Sequence, residues 1–204
     1  MNHLKLIFVV IISMALVSTE LKSATIHEET IDGDLAGTPG SPTGFTVIAG
    51  LGTIVGSVGA NGNTGATNGS DADYFSFNVP LSGVEITSLT LDSYTTFPNS
   101  SGFGSFLAYR FDSTSPGFPG QGFGDIDRST IFNASTTDLL GALGLTSLQS
   151  GFHSFWIQET APTTVNYSIT YEAVPEPSTY ALLILATSSG LLWRRRSRKW
   201  VVAH

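Results

Sequence analysis

Short stretches of the chain alternate between hydrophobic and polar residues, as β-strands with one buried face do. In segment 73–79, Phe75, Phe77 and Val79 share one face and polar residues occupy most of the other, and segment 165–171 alternates in the same way. Further apolar stretches of strand length lie at 45–48, 52–58, 106–111, 131–132 and 152–158, with glycine- or proline-bearing segments between several of them. The pattern therefore predicts many short strands.

Two segments depart from simple alternation. In segment 84–91, Val84 and Ile86 are out of phase with Leu89 and Leu91, which predicts a β-bulge near residue 87 or 88 that restores a single inward face. Segment 138–145 is apolar at a helical spacing, but its two glycines limit it to about one turn. Seven to nine short strands without a long helix indicate an all-β protein, an antiparallel β-sandwich of jelly-roll type.

Both ends of the chain differ from this pattern. Residues 1–24 combine Lys5, a twelve-residue apolar core and a polar stretch ending at Ala24, which is typical of a secretory signal peptide and its helix. At the other end, the motif Val174, Pro175, Glu176 and Pro177 precedes an apolar segment, 180–193, that predicts a short transmembrane helix. A basic stop follows at 194–199, formed by Arg194, Arg195, Arg196, Arg198 and Lys199.

These ends define three regions: a signal peptide (1–24), an extracytoplasmic β-sandwich domain (25–173) and a C-terminal signal (174–204). Cationic residues resist translocation, so the basic stop predicts a tail on the cytoplasmic side and a body outside it. The apolar segment is about 14 residues long, short of the roughly 17 to 25 of a comfortable span. A temporary anchor would explain that length.

In its order of Pro-Glu-Pro motif, apolar segment and basic cluster, region 174–199 resembles the PEP-CTERM sorting signal of Gram-negative bacteria that make exopolysaccharide. The resemblance implies a transient partner, the membrane-embedded exosortase, and a membrane-anchored intermediate in the inner membrane. It also implies removal of the tail near residues 175–178 and delivery to the cell surface or extracellular matrix. An ordinary single-span tail anchor is the alternative.

Composition excludes several classes of function. Between residues 25 and 173 the only basic residues besides histidine are Arg110 and Arg128, against fourteen carboxylates, a net charge of −12. Such a body repels phosphate backbones, so we expect no nucleic-acid binding. The chain has no cysteine, which excludes disulfides, thiol catalysis and cysteine-ligated metals.

Catalytic motifs are missing from the body. His27 and His153 are the only candidate bases for a serine triad, and no Gly-x-Ser-x-Gly elbow or phosphate-binding loop is present. Alternation places His153 on the inward face of its strand, where a structural role is the usual one. We therefore expect a protein that is not an enzyme, and a secreted hydrolase is a remote alternative.

Three Asp-x-Asp pairs adjoin glycine-bearing segments, at 32–34, 71–73 and 125–127. Carboxylates and loop carbonyls are ligands that calcium prefers, and Asp71 with Asp73 is the best-placed pair because it begins the clearest strand. A solvated turn that supports the strand start is the competing explanation. Four aromatic residues suggest either a sugar-stacking surface or core packing: Tyr94, Tyr109, Phe118 and Trp156.

The body also has a weaker resemblance, to the bacterial pre-peptidase C-terminal domain. It rests on segment 52–58, on the Asp-Ala-Asp-Tyr-Phe-Ser-Phe run of 71–77 and on the closing segment 166–171. Some members of that family bind calcium. The sequence as a whole predicts an exported, non-enzymatic protein of the surface or exopolysaccharide matrix, with a calcium- or carbohydrate-binding module as the alternative.

Overall fold

The computed structural model describes residues 23–60, 70–81, 83–97, 104–119, 125–159 and 163–175. The predicted signal-peptide helix, the transmembrane helix at 180–193, the second half of the Pro-Glu-Pro motif and the basic stop lie outside these residues. Across the part of the chain that the structure describes, no helix has the length and apolar character needed to cross a membrane.

The described residues form ten strands and two short helices. The strands are β1 (Ala24–Glu28), β2 (Thr43–Thr46), β3 (Gly50–Ala60), β4 (Ser70–Val79), β5 (Val84–Phe97), β6 (Ser105–Asp112), β7 (Arg128–Phe132), β8 (Thr137–Asp138), β9 (Gly151–Glu159) and β10 (Thr164–Pro175). The helices are α1 (Glu29–Asp32) and α2 (Leu139–Ala142). The predicted all-β class is confirmed, and the helical turn near residue 139 is present.

The strands form two sheets of a sandwich that share one corner. One sheet has the order β1-β3-β10-β5-β8 and the other the order β2-β4-β9-β6-β7. Strands β3 and β4 join them through two residue pairs, Gly59 with Asp71 and Ala60 with Ser70. Most neighbours are antiparallel, as predicted, but β1 and β2 pair in parallel with β3 and β4.

The predicted bulge in β5 is confirmed by its pairing with β10. Ser88 lies opposite Glu172 while Ile86 lies opposite Ala173, so Thr87 is the extra residue of β5. Ile86, Leu89 and Leu91 are all buried and Thr87 is exposed. A second register shift, at Asp92, lies further along the β5–β10 ladder. The bulge thus brings both halves of β5 onto one inward face.

Aromatic rings fill the space between the sheets. Phe75 stacks on Phe155 with 5.3 Å between ring centroids, and Phe77 meets Tyr171 of the opposite sheet edge-on at 5.1 Å. On β10, Val165, Tyr167, Ile169 and Tyr171 are all buried, as their alternation predicted. Aromatic pairs of this geometry stabilise a core beyond the area that they bury. The body therefore has a continuous core without any disulfide.

Candidate functional site

The first half of the C-terminal motif belongs to the sheet. Strand β10 lies between β3 and β5 and pairs with both, and its last two residues, Val174 and Pro175, lie opposite Glu85 and Val84. Pro175 has no backbone N–H, so it cannot donate a ladder hydrogen bond and suits the end of a strand. The folded body thus extends two residues past the predicted boundary at 173. Glu176 and Pro177 lie outside the described residues.

A cluster of three acidic side chains, Glu29, Asp34 and Asp73, lies where the N-terminal segment meets the sandwich. One carboxylate oxygen of each lies within 4.8 Å of one from each of the others. Glu29 begins α1, Asp34 follows that helix, and Asp73 belongs to β4. We call these three residues the acidic cluster. Three like charges at such spacing repel one another unless protons or a cation intervene.

The chain folds locally so that Glu29 is held against β3. The backbone N–H and the hydroxyl of Ser57 donate to Glu29 Oε2 at 2.7 and 2.9 Å, and the Leu35 N–H donates to Oε1 at 3.3 Å. Gly33 adopts a φ of 90°, in the region that favours glycine, and turns the chain between Glu29 and Asp34. This turn returns Asp34 to the side of Glu29.

Asp73 is completely buried, with an exposed fraction of 0 %. Its Oδ2 accepts a short hydrogen bond from the Tyr167 hydroxyl, which reaches it from β10. Among the residues that the structure describes, none is a hydrogen-bond partner of its Oδ1. Gly56 lies opposite Tyr167 in the β3–β10 ladder and leaves room for the tyrosine ring. Burying a carboxylate with one oxygen unpaired is costly unless it is neutralised.

The pKa values of all three carboxyl groups of the acidic cluster are raised. Burial is the main cause that raises the pKa of Glu29 to about 7, and the hydrogen bonds from Ser57 and Leu35 only partly oppose it. Burial, followed by the nearby negative charge of Glu29, holds the pKa of Asp73 well above its usual range. Burial also raises the pKa of Asp34. Without a counter-cation, Glu29 therefore titrates near neutral pH.

Of the predicted pair Asp71 and Asp73, the structure places only Asp73 in this cluster. Both side chains are buried, which differs from the solvated turn considered as the alternative. The cluster unites members of two different Asp-x-Asp pairs, 32–34 and 71–73, and adds Glu29. The third pair serves elsewhere, since Asp127 Oδ2 accepts from the Phe111 N–H. The acidic run at 28–34 was the sequence signal for Glu29, but spacing alone did not select it.

His153 is buried and bonded at both ring nitrogens. Nε2 lies 2.6 Å from the Gln149 carbonyl oxygen, which can only accept, so Nε2 carries the proton. Nδ1 therefore accepts from the Tyr109 hydroxyl at 2.8 Å. Burial lowers the pKa of this histidine, which favours the neutral ring. The other histidine of the body, His27, is also buried, and its ring centroid lies 5.7 Å from that of Phe45.

The four aromatic residues considered for sugar stacking are all buried or half-buried. Tyr109 and Phe118 are buried, and Tyr94 and Trp156 are half-buried. Trp156 stacks on Tyr74 at 5.5 Å, while Tyr94 meets Phe132 edge-on at 5.5 Å. Tyr109 lies in the hydrophobic core and Tyr94 packs against it, so core packing explains these two, whereas Phe118 and Trp156 pack with each other and with Tyr74 outside that core cluster.

Comparison with known proteins identifies the end of the chain. A family model described as the PEP-CTERM protein-sorting motif matches residues 173–196. The match covers the segment that runs from the last residues of β10 to the first arginines of the basic stop. No curated protein and no solved structure matches the chain. The resemblance of the body to the pre-peptidase C-terminal domain gains no support from these comparisons.

Proposed function

We propose that this chain, an exported exosortase substrate by virtue of its PEP-CTERM sorting motif, is a non-enzymatic protein of the cell surface or exopolysaccharide matrix. The motif carries the proposal, because it implies export and a sorting step by exosortase at the membrane. The β-sandwich is the cargo that this step delivers. The signal peptide at 1–24 and the membrane segment at 180–193 form the rest of the route.

The hydrogen bonds and burial of the two histidines of the body support a structural role. Both ring nitrogens of His153 are engaged by Tyr109 and Gln149, so this histidine is poorly placed to activate a nucleophile. His27 is enclosed beside Phe45 at the sheet edge. A continuous aromatic core and a high density of negative charge suit a stable, soluble unit outside the cell.

Mass spectrometry of the mature protein tests the processing step. In cells that contain exosortase, we expect a C-terminus near residues 175–178; in a strain without the enzyme, the tail should remain. The double variant P175A/P177A should also retain it, whereas P116A, an exposed proline outside the motif, should be processed normally. Recovery of an intact 194–204 tail from the surface fraction of normal cells would contradict the proposal.

Fractionation tests the destination. We expect the processed protein in the surface or polysaccharide fraction, and we expect it in the medium when the cells cannot make exopolysaccharide. Accumulation of the processed protein in the inner membrane or periplasm would refute the surface or matrix role. Processing would remain established by the mass of the C-terminus, so the two results can be separated.

A further inference from the structure

We propose that Glu29, Asp34 and Asp73 bind one hard divalent cation, with Ca²⁺ as the favoured ion, where the N-terminal segment meets the sandwich. The site differs from the Asp-x-Asp pairs that the sequence suggests, because it draws its ligands from three separate positions in the fold. It is independent of the sorting motif, since none of its residues lies near the C-terminus of the chain.

The spacing of the oxygens fits a single ion. Calcium binds oxygen ligands at about 2.3–2.6 Å, so two ligands of the same ion are at most about 5 Å apart. The three carboxylate oxygens of the acidic cluster all lie within 4.8 Å of one another. All three can therefore contact one cation placed between them.

Asp73 supplies the second, independent observation. Its side chain is fully buried, its Oδ2 is fixed by the Tyr167 hydroxyl, and its Oδ1 has no hydrogen-bond partner within the described part of the chain. A buried carboxylate oxygen normally accepts at least one hydrogen bond or binds a metal. A cation in the cluster would satisfy it. The hydrogen bond from Tyr167 then orients the ligand, as partners behind a metal ligand commonly do.

The ligand set and its access favour calcium. All three ligands are carboxylates, which suit hard cations, and calcium tolerates the irregular geometry of ligands from a helix, a turn and a strand. Asp34 is exposed, so water can reach the site and complete a shell of six to eight oxygens. Magnesium demands a nearly ideal octahedron at shorter distances, so ligands drawn from a helix, a turn and a strand suit it less well than they suit calcium.

A bound ion would tie the N-terminal segment to the sheet. Glu29 and Asp34 flank the turn at Gly33, while Asp73 lies in β4, so the ion would cross-link segments about 40 residues apart in the chain. The three mutually repelling charges become an attractive contact. Affinities of extracellular calcium modules, about 10⁻⁴ to 10⁻³ M, are the range that we expect.

Calorimetry and thermal unfolding of the full chain, purified in detergent, test the site with Ca²⁺ and Mg²⁺. We expect one Ca²⁺ per chain and a melting temperature raised by about 5 to 10 °C at a hundredfold excess over Kd. Magnesium should bind at least tenfold more weakly. Tb³⁺, which takes the same oxygen ligands, should show luminescence excited through Tyr167, and Y167F should reduce it.

Matched variants locate the ion. D34N alters an exposed residue and should leave the fold intact while weakening Ca²⁺ binding at least tenfold; D73N should abolish binding. The control D125N changes a carboxylate of the third Asp-x-Asp pair and should bind as the unaltered chain does. Absence of calcium binding by the unaltered chain would overturn the proposal, as would equal binding by D34N and D125N. Neither result would bear on tail processing.

Discussion

Single residues in this protein have their properties set by what the fold places around them. Asp73 shows this most clearly. Its position before an alternating strand suggested an exposed turn, yet it lies in the core because β4 extends back to Ser70 and the N-terminal segment covers it. Partners from β10 and α1 then determine its chemistry, and both are distant in sequence. The residue type was predictable, whereas the partners required the tertiary structure.

His153 yields a pH prediction at this scale. Burial lowers its pKa in the folded state, so the unfolded chain binds this proton more readily, with a pKa of about 6.5. Its contribution to stability is complete above that value and declines as the pH falls below it. Relative to the variant H153Q, the unaltered chain should lose at most about 1.4 kcal/mol of unfolding free energy per pH unit.

Urea denaturation of both proteins between pH 7.5 and 5 measures this difference. All other titrating groups are shared, so the difference between the two curves reports on position 153. Parallel curves over the whole range would show that the histidine charges as easily in the folded state as in the unfolded one.

Strand pairing, at the scale of elements, explains which sequence predictions succeed. The bulge in β5 was predictable because its cause is local: Ile86 and Leu89 must share one face, so one residue between them is extra. The parallel pairing of β1 with β3 and of β2 with β4 was not predictable. Parallel strands that are neighbours in a sheet are joined by crossover connections. The alternation of residues within one strand contains no information about such a connection.

The packing of β3 against β10 depends on small residues in β3 that lie opposite large residues in β10. Gly52 lies opposite Tyr171 and Gly56 opposite Tyr167, so the rings of β10 cover the bare backbone of β3. A methyl group on Gly56 would lie only 2.5 Å from the Tyr167 hydroxyl oxygen. The variant G56A should therefore lower the unfolding free energy by about 1 to 3 kcal/mol.

The control is G37A, since a methyl group on Gly37 meets no atom within 4 Å and its backbone imposes no positive φ. Its unfolding free energy should change by less than about 0.5 kcal/mol. Chemical denaturation of the two variants compares them directly. Equal stability of G56A and G37A would mean that Tyr167 can move aside without loss.

For the molecule as a whole, if the C-terminal segment anchors the protein as we propose, the direction of the strands decides which end of the sandwich faces the membrane before processing. Pro175, Val84 and Gly50 lie at the same end of the sandwich, and so does the connection from β4 to β5. Four residues separate Pro175 from the predicted apolar segment at Tyr180, a reach of at most about 18 Å. Ile48 and Leu81, 72 % and 92 % exposed, lie near this end.

We expect this end of the anchored protein to lie against the bilayer. Because the chain has no cysteine, a fluorophore can be attached at L81C and, as the control, at N166C, which lies about 30 Å from Pro175 along β10. In vesicles with quencher-labelled lipids, quenching should be stronger at position 81. Equal quenching at both positions would contradict the orientation.

The place of β10 in the sheet also has a mechanical consequence. The strand pairs with β3 from Thr164 to Ala173 on one side, and with β5 over its whole length on the other. It is also the strand that continues into the tail. A pull on the tail along the strand axis loads both ladders in shear, so many bonds must fail together rather than one after another. A tail anchored in the membrane as we propose could therefore transmit force while the body remains folded.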